Sequence, residues 1–219
     1  MSVQDFSGQG KDTKERDALC KFDGKEQGIC DTAGGKGAIS SPAAFEIAGE
    51  FSPEAGSSLP REKKRERVIL PGTYDPVTLG HLAVIRRAAE EYGEVFVTVF
   101  VNPQKTPTFP LSERMAMLML ATDEFDNVLV TESSGLVIDY MREHRIGKIL
   151  KGYRNETDLS YEKAQAEWNF SHGGVTTELI PCEDAYRTVS STLARRLLAE
   201  GGDLSGVLPE KVIAFLKNR

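Results

Sequence analysis

The chain has 219 residues, of which 27% are charged and 40% hydrophobic, and a formal net charge of −6. This acidic balance argues against nucleic acid as a partner, because such binding depends on Lys and Arg contacts to phosphate. No run of about 18 apolar residues occurs, which argues against a membrane-spanning helix. The first residues also lack the basic flank and apolar stretch of a secretion signal. We therefore expect a cytoplasmic protein with neither membrane nor nucleic acid as partner.

Residues 1–66 differ in composition from the rest of the chain. They mix Gly, Ser, Ala, Pro, Lys and Glu with isolated apolar residues at no regular spacing. Such a segment buries too little apolar surface to offset the entropy lost on ordering. We predict a disordered or weakly ordered N-terminal extension. Within it, AAFEIAGEF (43–51) is interpreted as one helical turn or a docking segment.

The three cysteines have no spacing that indicates a disulfide framework or a zinc site. Cys20 and Cys30 lie in the polar extension, and Cys182 stands alone near the end of the chain. We interpret all three as free, reduced thiols. The sequence predicts no metal site built from protein ligands.

From residue 67 onward, short runs rich in β-branched residues alternate with segments of helical periodicity. The predicted strands are 68–70, 95–101, 128–131, 148–151 and 175–181. Near-continuous apolar runs of this length are typical of strands buried on both faces. Their alternation with helices predicts right-handed βαβ units. Residues 67–219 are therefore expected to form one Rossmann-like α/β domain, a doubly wound parallel five-stranded sheet with helices on both faces.

The turn after the first predicted strand carries the chemistry. Its sequence, PGTYDPVTLGHL (71–82), is neither the GxGxxG dinucleotide fingerprint nor a Walker-type phosphate loop. Gly80 lets a ligand approach the start of the following helix, where free N–H groups and the helix dipole favour phosphate. His81 in that first turn can donate a hydrogen bond to the same phosphate.

Four segments of this domain resemble bacterial phosphopantetheine adenylyltransferases, a family of the nucleotidyltransferase superfamily. Thr78-Leu79-Gly80-His81 is similar to the superfamily's (His/Thr)-x-Gly-His signature. The other three segments are VNPQKTPTFPLSERM (101–115), KGYRNETDLSYE (151–162) and TVSSTLARRL (188–197) followed by GGDLSGVLP (201–209). The resemblance covers about 150 residues in matching order and spacing, and it implies transfer of AMP from ATP to 4′-phosphopantetheine.

The resemblance also implies a role for each matching residue. Catalysis falls to His81, Lys105 and Thr73, with His81 stabilising the α-phosphate in the transition state. The acceptor substrate is held by Thr73, Lys105, Val137 and Lys151. ATP is bound by Thr73, Tyr74, His81, Gly152, Tyr153, Arg154, Glu162, Tyr186, Arg187, Thr188, Val189, Ser190, Ser191 and Thr192. The family further implies Mg²⁺ arriving with ATP, a homohexamer, and feedback binding of coenzyme A.

Three departures from the family pattern keep alternatives open. Lys151 replaces an arginine, which exchanges a bidentate fork for a point charge, and Phe170 stands where a second arginine is expected. Arg187 or a neighbouring subunit could supply the missing charge. The extension is foreign to the family and is either a regulatory tail or the product of a start codon placed too far upstream. The alternatives are another cytidylyl- or adenylyltransferase of the superfamily, or a degenerate nucleotide-binding regulator.

Overall fold

The computed structural model describes residues 45–47, 64–101 and 106–219, and its central feature is a parallel sheet. The strands are β1 (Phe45–Ile47), β2 (Lys64–Gly72), β3 (Tyr92–Phe100), β4 (Val128–Ser133), β5 (Lys148–Tyr153) and β6 (Thr176–Pro181). The helices are α1 (Leu79–Glu91), α2 (Leu111–Thr122), α3 (Val137–His144), α4 (Glu156–Gly173), α5 (Ser191–Glu200) and α6 (Glu210–Lys217). One 3₁₀ turn, Asp184–Tyr186, lies between β6 and α5.

Helices cover both faces of the sheet because buried side chains alternate along each strand. On β2, Val68 and Leu70 face one side, where they pack with residues of α1, α2, α5 and α6. Ile69 faces the other side and packs with Tyr140 and Met141 of α3. This alternation confirms the predicted Rossmann-like domain with a parallel sheet and helices on both faces.

The sheet has six strands in the order β1-β6-β5-β2-β3-β4, one more than the five predicted. The five predicted strands are all present, and β1 adds an edge strand that pairs in parallel with β6, placing Phe45 opposite Thr177. The stretch interpreted as one helical turn or a docking segment therefore contains a strand that pairs with β6. Sequence reasoning missed it because three residues are too short for a period to show.

Strand β2 extends across the predicted boundary between extension and domain. Strand β2 begins at Lys64, three residues before the predicted domain start, and its register with β3 shifts between Lys64 and Arg67. Residues 1–44 and 48–63 lie outside the described residues, so the predicted disorder of the extension stays a prediction there. Within the described ranges, no helix has the length and apolar character needed to cross a membrane.

Three capped helix N-termini lie at the carboxyl ends of the central strands. Thr78 caps α1, Asn155 caps α4 and Ser190 caps α5, each accepting a backbone N–H of its own first turn. Such caps satisfy one of the N–H groups that have no partner within the helix and leave others available. These three helix starts form the walls of the cleft described next.

Candidate active site

A cleft of about 450 Å³ opens where β2 and β5 end. Ligands of open α/β sheets bind at this edge, near the point where the strand order reverses. The central strand β2 has β3 on one side and β5 on the other, which makes its carboxyl end that point. The residues lining the cleft are Leu70, Pro71, Gly72, Tyr74, Thr78, Gly80, His81, Val84, Leu150, Lys151, Gly152, Arg154, Asp158, Tyr161, Glu162, Cys182, Val189, Ser190, Ser191 and Thr192.

The turn after β2 is shaped by Tyr74, which has a left-handed backbone with φ of 49°. Its buried side chain folds back, and the hydroxyl donates to the Leu70 carbonyl at 2.9 Å. The ring then lies so close to Gly72 that a Cβ there would be 2.8 Å from the tyrosine Cε2 atom. Glycine at position 72 is therefore required by the way Tyr74 closes the turn.

His81 is oriented by the cap of its own helix. The Thr78 backbone N–H donates to His81 Nδ1 at 3.1 Å, while the His81 backbone N–H donates to Thr78 Oγ1. Because Nδ1 accepts a hydrogen bond, the proton of the neutral ring is on Nε2. The edge of the Tyr74 ring packs against the imidazole, with ring centres 5.1 Å apart. His81 is thus held as a hydrogen-bond donor through Nε2.

The surroundings of His81 favour its neutral form. Burial, together with the positive charges of Arg154 and Lys151, lowers the pKa of His81 from 6.5 to about 4. The imidazole is therefore uncharged at neutral pH and donates without carrying a full charge. A neutral donor costs less to keep in a cleft that already holds two cations.

We expect the His81 imidazole of the ligand-free protein to stay neutral from pH 8 down to about pH 5.5. Proton NMR titration measures this, and loss of one histidine signal in His81→Asn assigns the resonance. In the unfolded chain His81 takes up a proton near pH 6.5, whereas in the folded protein it is protonated only near pH 4. The contribution of this group to the free energy of unfolding therefore falls as pH drops through that window. A midpoint near 6.5 in the folded protein would contradict this assignment.

At the end of β5, the backbone at Gly152 packs closely against α1. A Cβ on Gly152 would lie 2.8 Å from Val84 Cγ2, so only glycine allows this approach. On either side of Gly152 are the two cations of the cleft. Lys151 Nζ lies 3.8 Å from Glu162 Oε2, and Arg154 Nε donates to Asp158 Oδ2 at 2.8 Å.

Arg154 also connects two parts of the cleft wall. Its Nη1 atom donates to the Val189 carbonyl at 3.4 Å, in the segment just before α5. Asp158 is four residues further on in the first turn of α4, so the helix itself presents the carboxylate. The guanidinium is therefore held in place before any ligand arrives. Ligand binding to Arg154 then costs less side-chain entropy.

The start of α5 completes the cleft with hydroxyls and backbone donors. Ser190 Oγ accepts the Leu193 N–H at 3.1 Å, and Ser191 Oγ donates to the Pro76 carbonyl at 2.8 Å. The second bond ties α5 to the turn after β2. A helix start of this kind, facing two cations, is a binding site for phosphate groups.

The structure brings most of the predicted site residues together. Ten line the cleft: Tyr74, His81, Lys151, Gly152, Arg154, Glu162, Val189, Ser190, Ser191 and Thr192. Thr73 lies between two lining residues, and its carbonyl accepts from Arg114 at 2.8 Å. Lys105 lies outside the described residues. The roles assigned to all of these residues stay predictions.

Five further predicted residues do not line the cleft. They are Val137, Tyr153, Tyr186, Arg187 and Thr188. Val137 begins α3 and packs with the core cluster on that face. Arg187 is exposed and pairs with Asp184 at 2.7 Å. The missing charge at Phe170 is therefore not supplied by Arg187 in this arrangement.

Sequence reasoning overlooked several residues of the cleft. Thr78 and Asp158 are part of it, and spacing signals could have revealed both, the first as the cap of the His81 helix and the second as the i+4 partner of Arg154. Tyr161 and Cys182 also line it, without any sequence signal. Cys182 is a free cysteine, and burial raises the pKa of its thiol.

The cleft suits a magnesium ion that arrives on a phosphate. Within the described part of the chain, no cluster of three or more metal-ligating side chains occurs. Mg²⁺ commonly keeps several waters and takes one or two carboxylates besides substrate phosphates. Glu162 Oε2 is buried and accepts no hydrogen bond from the residues described here. The donor set therefore fits Mg²⁺ carried by a nucleotide.

Two comparisons with known proteins identify the family. The cytidylyltransferase-like family model matches residues 69–197, more than half of the chain. A phosphopantetheine adenylyltransferase of Corynebacterium glutamicum (strain R) is 41% identical over 147 residues, which are 67% of this chain and 92% of that protein. The chain belongs to the phosphopantetheine adenylyltransferase family. It is therefore a nucleotidyltransferase, as the resemblance of its motifs predicted.

A solved structure supports the fold of this phosphopantetheine adenylyltransferase family member. A crystal structure of a nicotinate-nucleotide adenylyltransferase candidate from Vibrio parahaemolyticus aligns with a TM-score of 0.54 and 19% sequence identity. The alignment covers 70% of this chain and 93% of the other. At this identity the likeness concerns the fold alone.

Proposed function

We propose that this enzyme transfers AMP from ATP to 4′-phosphopantetheine, giving dephospho-coenzyme A and pyrophosphate in coenzyme A biosynthesis. The observation that carries the proposal is the position of neutral His81 beside Lys151 and Arg154, in a cleft walled by three helix N-termini. This arrangement suits a polyphosphate whose charge shifts during reaction. The name of the relative at 41% identity indicates the acceptor.

In the proposed reaction an oxygen of the acceptor phosphate attacks the α-phosphorus of ATP. A new P–O bond forms there while the bond from the α-phosphorus to the α,β-bridging oxygen breaks, and its electron pair leaves with pyrophosphate. The attacking group is already an anion, so no general base is needed. Catalysis then comes from positioning and from stabilising charge in the transition state.

Each part of the cleft has a role in this proposal. His81 donates from Nε2 to an α-phosphate oxygen, and Arg154 and the start of α5 bind the departing pyrophosphate. Thr73, Lys105 and Lys151 hold the acceptor phosphate, and the backbone at Val137 supports the pantetheine arm. Glu162, the Tyr74 and Gly152-Tyr153 backbone and the segment 186–192 contact ATP.

Mg²⁺ bound to ATP would neutralise phosphate charge, and Glu162, whose Oε2 atom accepts no hydrogen bond from the described residues, would be available to one of its waters. A cytoplasmic location, a homohexamer and feedback binding of coenzyme A complete the proposal. The homohexamer and the feedback binding follow from the family resemblance, and the location follows from the sequence pattern. An assembly would also offer a neighbouring subunit as the source of the charge missing at Phe170.

Pyrophosphate release by the full-length chain tests the function. We expect release with Mg²⁺, ATP and 4′-phosphopantetheine, formation of dephospho-coenzyme A by mass spectrometry, and loss of both on adding EDTA. CTP in place of ATP and nicotinate mononucleotide in place of the acceptor are the matched controls. Activity only in a control pair would assign a sibling reaction. ATP binding without pyrophosphate release in any mixture would indicate a regulator.

A further inference from the structure

Two buried charged side chains lie beneath the turn that carries Thr73, outside the cleft itself. Asp75 is 7% exposed and Arg114 is 3% exposed. Burying a charge is costly unless hydrogen bonds compensate for the lost water. Both side chains make their hydrogen bonds mainly to backbone groups, and these bonds join two separate stretches of chain.

The Asp75 carboxylate binds the segment that leads into α2. Its Oδ2 atom accepts the Thr108 N–H at 2.9 Å, and its Oδ1 atom accepts the Phe109 N–H at 2.9 Å. From the other side, Arg195 Nη1 of α5 lies 3.5 Å from Oδ2 and donates to the Asp75 carbonyl at 2.6 Å. Asp75 thus links the turn, the α2 entry segment and α5.

The Arg114 guanidinium, from α2, also joins the turn to the α2 entry segment. Its Nε atom donates to the Phe109 carbonyl at 3.1 Å, and its Nη1 atom donates to the Thr73 carbonyl at 2.8 Å. Phe109, fully buried, is therefore held at both its N–H and its carbonyl. Two side chains and four hydrogen bonds set the distance between Thr73 and the entry of α2.

We infer that Asp75 and Arg114 are positioning residues for the acceptor side of the reaction, an inference that rests on the proposed function. Thr73, assigned to the acceptor phosphate as well as to ATP, is bound by Arg114 directly through its carbonyl. Thr108 and Phe109 of the α2 entry segment follow Lys105, the other residue assigned to that phosphate, by three and four positions in the sequence. Misplacement of a reacting group by about 1 Å can cost about 100-fold in rate. Neither side chain is among the residues that line the cleft.

Kinetic analysis of Asp75→Asn and Arg114→Lys tests this inference. Asparagine turns one hydrogen-bond acceptor into a donor that faces a backbone N–H, while lysine retains the charge of Arg114 but cannot span both carbonyls. We expect kcat to fall at least tenfold and KM for the acceptor to rise, while the Kd for ATP changes less than threefold. Asp123→Asn and Arg86→Lys, at exposed ion pairs with Lys211 and Glu124, are the matched controls.

If the two residues were purely structural, the variants would have a lower melting temperature, and kcat and KM measured below the unfolding transition would be unchanged. Folded variants with both constants within twofold of the parent would therefore overturn the inference, and Arg114→Lys decides alone if Asp75→Asn does not fold. If the parent protein is active only with another acceptor, the proposed function is wrong, and the same test of Asp75 and Arg114 is carried out with that acceptor. A parent inactive with every acceptor contradicts both.

Discussion

His81→Ala is expected to lower kcat by about 10²- to 10⁴-fold, with little change in the Kd for ATP. The reason lies in the geometry of the cap: Nδ1 is occupied by the Thr78 N–H, and Nε2 is left as the donor. A neutral donor gains most when negative charge accumulates on the α-phosphate, so its loss is felt in the transition state rather than in the ground state. Steady-state kinetics and calorimetric titration with ATP measure the two quantities.

Alanine at position 81 also removes the acceptor that binds the Thr78 N–H, so a second variant separates catalysis from capping. His81→Asn keeps an acceptor oxygen near the Nδ1 position and removes the Nε2 donor; we expect near-parental stability with a kcat as low as that of His81→Ala. His172→Ala is the matched control, since that ring is exposed and stacks on Trp168 in α4. A His81→Ala enzyme with near-parental kcat would remove His81 from the mechanism.

Arg154→Ala is expected to weaken ATP binding by about 10- to 100-fold. A hydrogen bond to a charged group contributes about 1.5–3 kcal/mol, and the guanidinium is already held by Asp158 and the Val189 carbonyl. Its removal also leaves the Asp158 carboxylate uncompensated where we propose that the triphosphate binds, which adds repulsion. Calorimetric titration with ATP at fixed ionic strength measures the change.

Two further variants sharpen this result. Arg154→Lys retains the positive charge but loses the planar fork, so we expect an intermediate loss of affinity. Arg142→Ala is the control, because Arg142 is exposed and pairs with Asp139 within α3. Unchanged ATP affinity in Arg154→Ala would show that the triphosphate binds elsewhere, and Lys151 would then be the remaining predicted cation of the cleft.

Lys151, which departs from the family pattern, lies in the cleft and pairs with Glu162. Its Nζ atom lies 3.8 Å from Glu162 Oε2, and it supplies a single charge where the family resemblance implies an arginine fork. Phe170 lies in α4 and is not among the residues that line the cleft. The described cleft thus contains two cations, Lys151 and Arg154, and its remaining affinity for phosphate comes from helix starts.

The sequence by itself determined the order of strands and helices from residue 67 onward, because hydrophobic periodicity is local and each element carries its own pattern. It also located the turn with Gly80 and His81, since the glycine and the helix start are adjacent in the chain. The charge of Arg154 at the end of β5 could be placed at the cleft for the same reason, given the rule that parallel strands end at one edge.

Only the tertiary structure decided how those residues act. The pKa of His81 depends on burial and on two cations from another strand end, neither of which is visible in a local pattern. The bond between Arg195 and the Asp75 carbonyl joins residues 120 positions apart, and strand β1 exists only through its pairing with β6. Long-range contacts of this kind form when chain segments pack together, and local sequence periodicity carries no record of them.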